Sequence, residues 1–302
     1  MDKTVLFTSK IKELYPALSE EVLKNLNKPR YKTFRYVTLK KNENLLPVEE
    51  YKKGPFPNSF YVEDSYDLTD TPAFANTDLY IQGFSSMIPA IILGAKPGDK
   101  VMDMCAAPGS KSSQLANLTG DKVNITCIDN NSARLFALKS NLSAQNVQNF
   151  KIIRANAADI QYDPSFVNQF DKIIADVPCS NEGNIRFYDD KLLSKWNPKL
   201  AKKISKLQKR ILASGIKALK KGGRLVYSTC TYSLEENEEV VDWALKHFED
   251  VKLEPINLPI TNTIAGLCKN GKKVFDSSIT NCIRVIPNDL FDGFFVASLL
   301  KL

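Results

Sequence analysis

Two cysteines in this chain stand where chemistry is done. Asp176-Val-Pro-Cys179-Ser and Ser228-Thr-Cys230-Thr each follow a short apolar run, 170–176 and 223–228, and each sets its thiol just past the last apolar residue. In an open α/β sheet the reacting groups lie beyond the carboxyl ends of the strands. Neighbouring strands run about 5 Å apart, so two such loops bring both sulfurs to one pocket. A thiolate adds covalently to an electron-poor carbon, and a second thiol beside it can act as the acid or base that ends the covalent state. The competing reading is a pair of inert core thiols, the ordinary fate of free cysteine.

The elements that must position this pair begin with Val101-Met-Asp103-Met-Cys105-Ala106-Ala107-Pro108-Gly109-Ser110-Lys111. An apolar run stops at an acid, passes through small residues and a Pro-Gly turn, and opens a helical pattern: strand, tight loop, helix N-terminus. Ala106, Ala107 and Gly109 hold nothing off the backbone, and the first amides of the helix offer unpaired N–H groups to a polar ligand. One βαβ unit later Val123–Asp129 is a second apolar run ending in an acid, where a doubly wound sheet sets a carboxylate against a ribose diol. G-x-G-x-x-G and the P-loop pattern are both missing, so nothing is shaped for a pyrophosphate. S-adenosyl-L-methionine, an adenosine with a zwitterionic amino acid and no phosphate, fits that combination.

A methyl donor beside thiols narrows the reaction. Carbon 5 of a pyrimidine is a poor nucleophile until a thiolate adds at carbon 6, and the enamine so formed can accept a methyl group. A proton must then leave carbon 5 and the thiol must be eliminated, so two cysteines have separate jobs. An ordinary thiol titrates near 8.5, so the attacker needs a cationic or hydrogen-bonding neighbour, for which Lys111 is the candidate. Asp176 suits the amino edge and ring nitrogen of cytosine better than uracil. A base attacked on its face must be out of its stack, so the substrate is single-stranded or flipped.

Composition agrees with an α/β protein that handles a polyanion. With 302 residues, 43% of them hydrophobic, the chain can bury a full core. It has no run near the ~18 apolar residues of a membrane span, and its opening residues lack a targeting pattern. A cytoplasmic address is expected, with a nuclear or organellar one left open. The net charge is +7, and Lys191 to Arg224 carries 12 basic residues and no acidic one; the alternative is a solvated lysine-rich helix face. Six cysteines without a C-x-x-C pair and the lone His247 speak against a metal, and free thiols are expected.

Along the chain, residues 11–26 are helical in pattern, interrupted at Pro16, and 31–40 and 58–62 alternate like strands. Lys28, Arg30, Lys32, Arg35, Tyr36, Lys40 and Lys41 mix cations and rings in a way that suits single-stranded nucleic acid. A helix over 88–94 precedes the Val101 strand. Strands at 150–155, 170–176 and 223–228 then alternate with helices at 132–146, 198–221 and 236–248, which specifies a mostly parallel sheet covered on both faces. Two apolar runs split by Asp292-Gly293 predict a closing hairpin.

The pieces Asp103 to Lys111, Asp129 with Arg134, Asp176-Val-Pro-Cys179-Ser, Ser228-Thr-Cys230-Thr and Asp292-Gly-Phe-Phe-Val-Ala-Ser resemble the RNA (cytosine-5-)-methyltransferases of the NOL1/NOP2/Sun family. Phe34 to Lys40 and Leu79 to Ser86 extend the likeness over nearly the whole chain. The resemblance implies a Rossmann-like class I S-adenosylmethionine-dependent methyltransferase domain at 76–302, and a small α+β, ferredoxin-like or RRM-like, RNA-binding module at 1–75. It implies that Cys230 is the nucleophile and Cys179 assists release, with Asp176 and Lys111 beside them. It also implies that Cys105, Ala106, Ala107, Pro108, Gly109, Ser110, Lys111, Asp129, Arg134, Asn156 and Asp176 bind cofactor. The expected partner is tRNA or rRNA, chosen by the N-terminal module and the basic surface, since no PUA-like extension follows Leu302. Three positions depart from the pattern: Asn181-Glu182 where Gly is frequent, Asn156 where an acid is common, and Asn288 where His often precedes the Asp-Gly. These departures motivate an alternative, an RNA-binding or assembly factor that keeps the fold without turnover.

Overall fold

The computed structural model describes residues 2–40 and 46–302, so Lys41 lies outside the described residues. The chain runs α1 (Lys3–Leu14), α2 (Ser19–Leu26), β1 (Lys32–Tyr36), β2 (Lys52–Lys53), β3 (Ser59–Val62), α3 (Pro72–Ala75), β4 (Leu79–Ile81), α4 (Phe84–Leu93), β5 (Lys100–Asp103) and α5 (Ser110–Thr119). It continues with β6 (Asn124–Asp129), α6 (Ser132–Ala144), β7 (Phe150–Arg154), β8 (Phe170–Asp176), α7 (Asp190–Leu193), α8 (Leu200–Ala218), β9 (Leu219–Thr229) and α9 (Glu238–His247). The last strands are β10 (Val251–Glu254), β11 (Thr263–Ala265), β12 (Lys269–Asn270), β13 (Lys273–Val274), β14 (Ile283–Val285) and β15 (Phe294–Lys301).

A nine-stranded sheet has the order β11-β14-β15-β9-β8-β5-β6-β7, with β10 alongside β15. The strands β5 to β9 pair in parallel. Val101, Met102, Ile173, Ile174, Leu225 and Val226 are wholly buried, as the near-continuous apolar runs of strands covered on both faces require. The order reverses between β5 and β8, and in such sheets that switch point opens the ligand crevice at the carboxyl ends. The predicted tail hairpin is present: β14 and β15 pair antiparallel with Ile283 opposite Val296, and β15 lies antiparallel to β9. Along α8, Ala201, Ile211, Leu212 and Ile216 face the core while Lys202, Lys203 and Lys206 are exposed.

Several boundaries differ from the sequence reading. The first helix starts at Lys3, because the Asp2 carboxylate accepts from the Thr4 amide and caps it. The helix α4 starts at Phe84, with Pro89 inside. Gly222 does not end an element; at φ +77° it makes an irregular step within β9.

A four-stranded antiparallel sheet, β2-β3-β1-β4, has its own small core of Phe34, Tyr36, Val62, Leu68 and Leu79. The helices α1 and α2 do not share that core. Their Phe7, Ile11, Tyr15, Val22 and Leu26 pack with Ile185, Trp196, Tyr232 and Ile286. Arg35 and Tyr36 are buried, so they are not the free cation and ring that the alternation in 31–40 predicts. Arg35 donates to Gln82, Ser113 and Gln145, tying the small sheet to α5 and the end of α6. Among the described residues no helix is long and apolar enough to cross a membrane.

Candidate active site

The strands β8 and β9 run side by side with Asp176 opposite Ser228, so their two loops leave the sheet together. Cys179 Sγ and Cys230 Sγ lie 3.3 Å apart as free thiols. The loops are laced to each other: the Gly183 amide donates to the Cys230 carbonyl (2.9 Å), and the Ser180 and Thr231 hydroxyls lie 2.7 Å apart. A Cβ on Gly183 would meet the Gly293 carbonyl oxygen at 2.0 Å, and one on Gly293 would meet the Tyr232 ring at 2.2 Å. Only glycine allows that backbone approach, which accounts for the Asp292-Gly293 pair beside the thiols.

The Cys179 loop is held from behind. Gln208 on α8 donates to the Pro178 carbonyl (2.9 Å) and to the Glu236 carboxylate (3.0 Å), which also accepts from the Ser180 amide (2.9 Å). Glu182 is fully buried, accepting from Lys10 of α1, the Trp196 indole and the Thr231 hydroxyl. Asn181 sits at φ +58°, a left-handed conformation that asparagine tolerates better than most residues, so the loop keeps its turn without the expected glycine. Its Oδ1 accepts from Cys230 Sγ at 3.0 Å and faces Cys179 Sγ at 3.6 Å.

The Cys179 thiol is held well above the usual thiol range, first by its hydrogen bond with Cys230 and then by burial and the Cys230 charge. At neutral pH it carries its proton. Lys111 reaches in from the first turn of α5, its Nζ 2.6 Å from Asp176 Oδ2 and 3.0 Å from Ser86 Oγ. Burial would lower its ammonium, but the Asp176 and Asp103 carboxylates raise it on balance, so it stays cationic. Asp176 Oδ1 accepts from the Ser228 hydroxyl at 2.7 Å. Cys105 is pushed above the thiol range by burial and by Asp103, Asp176 and Asp129, which leaves it an inert wall rather than a nucleophile.

Asp103 ends β5 with its carboxyl buried, accepting from the Ser112 hydroxyl (2.7 Å) on one oxygen only. Burial raises it to about 6. The fold binds this proton more tightly than the unfolded chain does, so the contribution is fully present below the unfolded value near 4 and is lost as pH climbs through about 6. The unfolding free energy read from urea titrations should fall over that window by at most about 3 kcal/mol from this group. Asp103→Asn should flatten that part of the profile, and an unchanged slope in the variant would assign the loss elsewhere.

A cavity of about 400 Å³ opens at these strand ends, lined by Cys105, Ala107, Lys111, Arg134, Asp176, Cys179 and Cys230 among the residues singled out from sequence. Ser85, Ser86, Asn181, Asn184, Asp292 and Phe294 complete most of its wall, and sequence reasoning gave none of these a role. Asp129 lies at the end of β6 with its carboxylate almost wholly covered, 3.3 Å from Arg134 and accepting from the Asn131 amide. Ala106, Pro108, Gly109 and Ser110 form the turn behind the wall, and Arg134 donates to the Ala107 carbonyl. Asn156 is exposed, bonded to Asp159 and the Ala158 amide, and is not among the lining side chains. A crevice with an acid at a strand end, small residues in the turn and charges of both signs suits an adenosine bearing a zwitterionic amino acid. Arg30 and Arg186 both meet Asp292, the latter at 2.7 Å, so two arginines fix the acid of the tail motif.

Residues 90–300 match the family described as 16S rRNA methyltransferase RsmB/F. The chain is 35% identical to the tRNA (cytosine(49)-C(5))-methyltransferase of Pyrococcus abyssi, over 97% of itself and 96% of that protein. It is 32% identical to the 28S rRNA (cytosine-C(5))-methyltransferase of Mus musculus, over 97% of itself and 38% of that longer protein. Among solved structures, a methyltransferase homolog from Pyrococcus horikoshii matches with a TM-score of 0.82 at 32% identity, covering 98% of this chain and 95% of that one.

Proposed function

The chain belongs to the 16S rRNA methyltransferase RsmB/F family, and from that membership we propose that it methylates carbon 5 of cytosine in tRNA or rRNA with Cys230 as nucleophile. It is an S-adenosylmethionine-dependent RNA (cytosine-5) methyltransferase. The observation that carries the assignment of roles is the meeting of two thiols, 3.3 Å apart, in the cavity that Lys111, Asp176 and Arg134 also line. Cys105, Ala107, Lys111, Arg134 and Asp129 would hold the cofactor, whose contribution is an electrophilic methyl on a sulfonium.

The residues divide the work as follows. Cys230, its thiol proton passed to solvent, forms the S–C6 bond, which sends electron density to carbon 5. Asp176, fixed by Ser228 and Lys111, receives the amino edge of cytosine and rejects uracil, whose position 4 offers no donor. After carbon 5 has gained the methyl group, Cys179, its own proton released to solvent, takes the carbon-5 proton, and the returning electrons expel Cys230 as the thiolate. The order of these steps has an electrostatic cause. Cys179 keeps its proton at rest first through its bond to Cys230, then through burial, with the Cys230 charge behind them; once the Cys230 sulfur is bonded to carbon 6 the bond and the charge fall away while burial stays, so Cys179 ionises more readily than at rest. Asn181 preserves the left-handed turn of the loop, which weighs against the inactive-factor alternative.

RNA contact falls to the exposed lysines of α8, whose inner face holds the Cys179 loop through Gln208, together with the N-terminal module of residues 1–75. Replacing Lys202, Lys203 and Lys206 by Glu should weaken RNA binding about tenfold or more at physiological salt and flatten the salt dependence by about three ions. Turnover at saturating RNA should hold. Filter binding across a salt series reads this, and an unchanged slope would move the RNA elsewhere. The reaction itself is tested by transfer of labelled methyl from S-adenosylmethionine to RNA, followed by nucleoside digestion: label in 5-methylcytidine is expected, and RNA retention without transfer would restore the inactive factor.

A further inference from the structure

The Asn181 carboxamide reaches both thiols of the site, with its oxygen 3.0 Å from Cys230 Sγ and 3.6 Å from Cys179 Sγ. A backbone at φ +58° would be served as well by glycine, so the turn alone does not call for this side chain. What a carboxamide adds is double character: its carbonyl accepts from a thiol, and a half-turn about the last side-chain bond presents N–H groups to a thiolate. A carboxylate can only accept, and glycine does neither. The loop that carries Asn181 is stiff, since the Asn184 amide donates to the Asn181 carbonyl (3.1 Å), Gly183 to Cys230, and Ser180 to Glu236.

We infer that Asn181 is the positioning residue of the attacking thiol: its carboxamide aims Cys230 Sγ into the cavity at rest and turns to donate to the sulfur when the proton leaves. The inference rests on the assignment of Cys230 as nucleophile. The other charged or titratable groups around the pair are Cys179 on the same loop, Cys105 after β5, Lys111 from α5, Asp176 at the end of β8, Arg134 from α6, Asp292 from the tail motif and Glu236 behind Ser180. Lys111 is engaged by Asp176 and Ser86, and Arg134 by Asp129 and the Ala107 carbonyl, so the groups of matching charge already have partners. Apart from the Cys179 thiol at 3.3 Å, that leaves the carboxamide as the polar group nearest the sulfur.

The test compares Asn181→Gly and Asn181→Asp with the parent in the full chain, using iodoacetamide at neutral pH without RNA or cofactor and reading the Cys230 peptide by mass spectrometry. Gly, which the left-handed turn accepts, should slow Cys230 alkylation about threefold to tenfold. Asp should slow it further, because it adds a negative charge and cannot donate. In methyl transfer, kcat should fall in the same order while KM for RNA and for S-adenosylmethionine stays within about twofold. An Asp variant alkylated as fast as the parent, or a Gly variant that keeps both rates, overturns the inference. Because alkylation needs no turnover, a parent chain that transfers no methyl would sink the functional reading while the Asn181 comparison still reports.

Discussion

Cys230→Ala abolishes methyl transfer, by at least about a thousandfold, or about 4 kcal/mol of barrier. The size follows from the chemistry: without a sulfur at carbon 6, carbon 5 has no enamine density to offer, and no other described side chain stands in the nucleophile's place, since Cys179 is carried by the other loop, after β8, and Cys105 is an inert wall. Cofactor binding should survive, because Cys230 is only partly buried and the turn proposed to hold cofactor is built on β5 and α5. Cys179→Ala gives the opposite phenotype: addition and transfer proceed, the carbon-5 proton stays, and a covalent protein–RNA species accumulates that withstands denaturing gels and carries label from the methyl donor. A Cys179→Ala protein that turns over normally, or a Cys230→Ala protein that still forms the adduct, would reverse the two roles.

The parts of the site legible in the sequence are those where one stretch carries its own geometry. Cys179 and Cys230 were readable because a strand, its end and the reactive residue are contiguous, and pairing of β8 with β9 does the rest. The turn from Asp103 to Lys111 was readable for the same reason. What escaped notice joins residues far apart in the chain. Ser85 donates to the Asp292 carbonyl across 207 positions, and Lys10 meets Glu182 across 172; no periodicity announces such partners. The basic and aromatic character of 31–40 does not mean exposure: Thr33, Phe34, Arg35 and Tyr36 are all buried, so the small sheet is covered on both faces and its arginine is a tie to α5. Asn156 stands where the family resemblance implies a cofactor contact, and its amide closes its own loop on Asp159.

Glu238→Ala should destabilise the protein by about 3–5 kcal/mol, because it strands a buried cation. Arg284 and Glu238 are covered completely, 1% and 0% exposed, and meet through two contacts, Nη2 to Oε2 at 2.5 Å and Nε to Oε1 at 2.6 Å. The guanidinium also donates from Nη1 to the Tyr15 hydroxyl and the Tyr232 carbonyl, both at 2.9 Å. One ion pair therefore joins α9, β14, the end of α1 and the loop just after Cys230. Removing the carboxylate leaves Arg284 with two neutral acceptors in a site from which water is excluded, and the cheapest relief is to draw water in beside Tyr232, whose ring packs against Gly293. Activity should fall with stability, since the Thr231-Tyr232 segment carries the Cys230 loop. The pair as a whole contributes far less than its rupture costs, so Glu238→Leu combined with Arg284→Met should recover most of the lost stability. Urea unfolding of the single and double variants separates these terms: a single variant within about 1 kcal/mol of the parent would mean that the tyrosine hydroxyl and the carbonyl suffice for the cation. A double variant as unstable as the single one would mean instead that the network's geometry holds α1 against the core, and its charge balance does not.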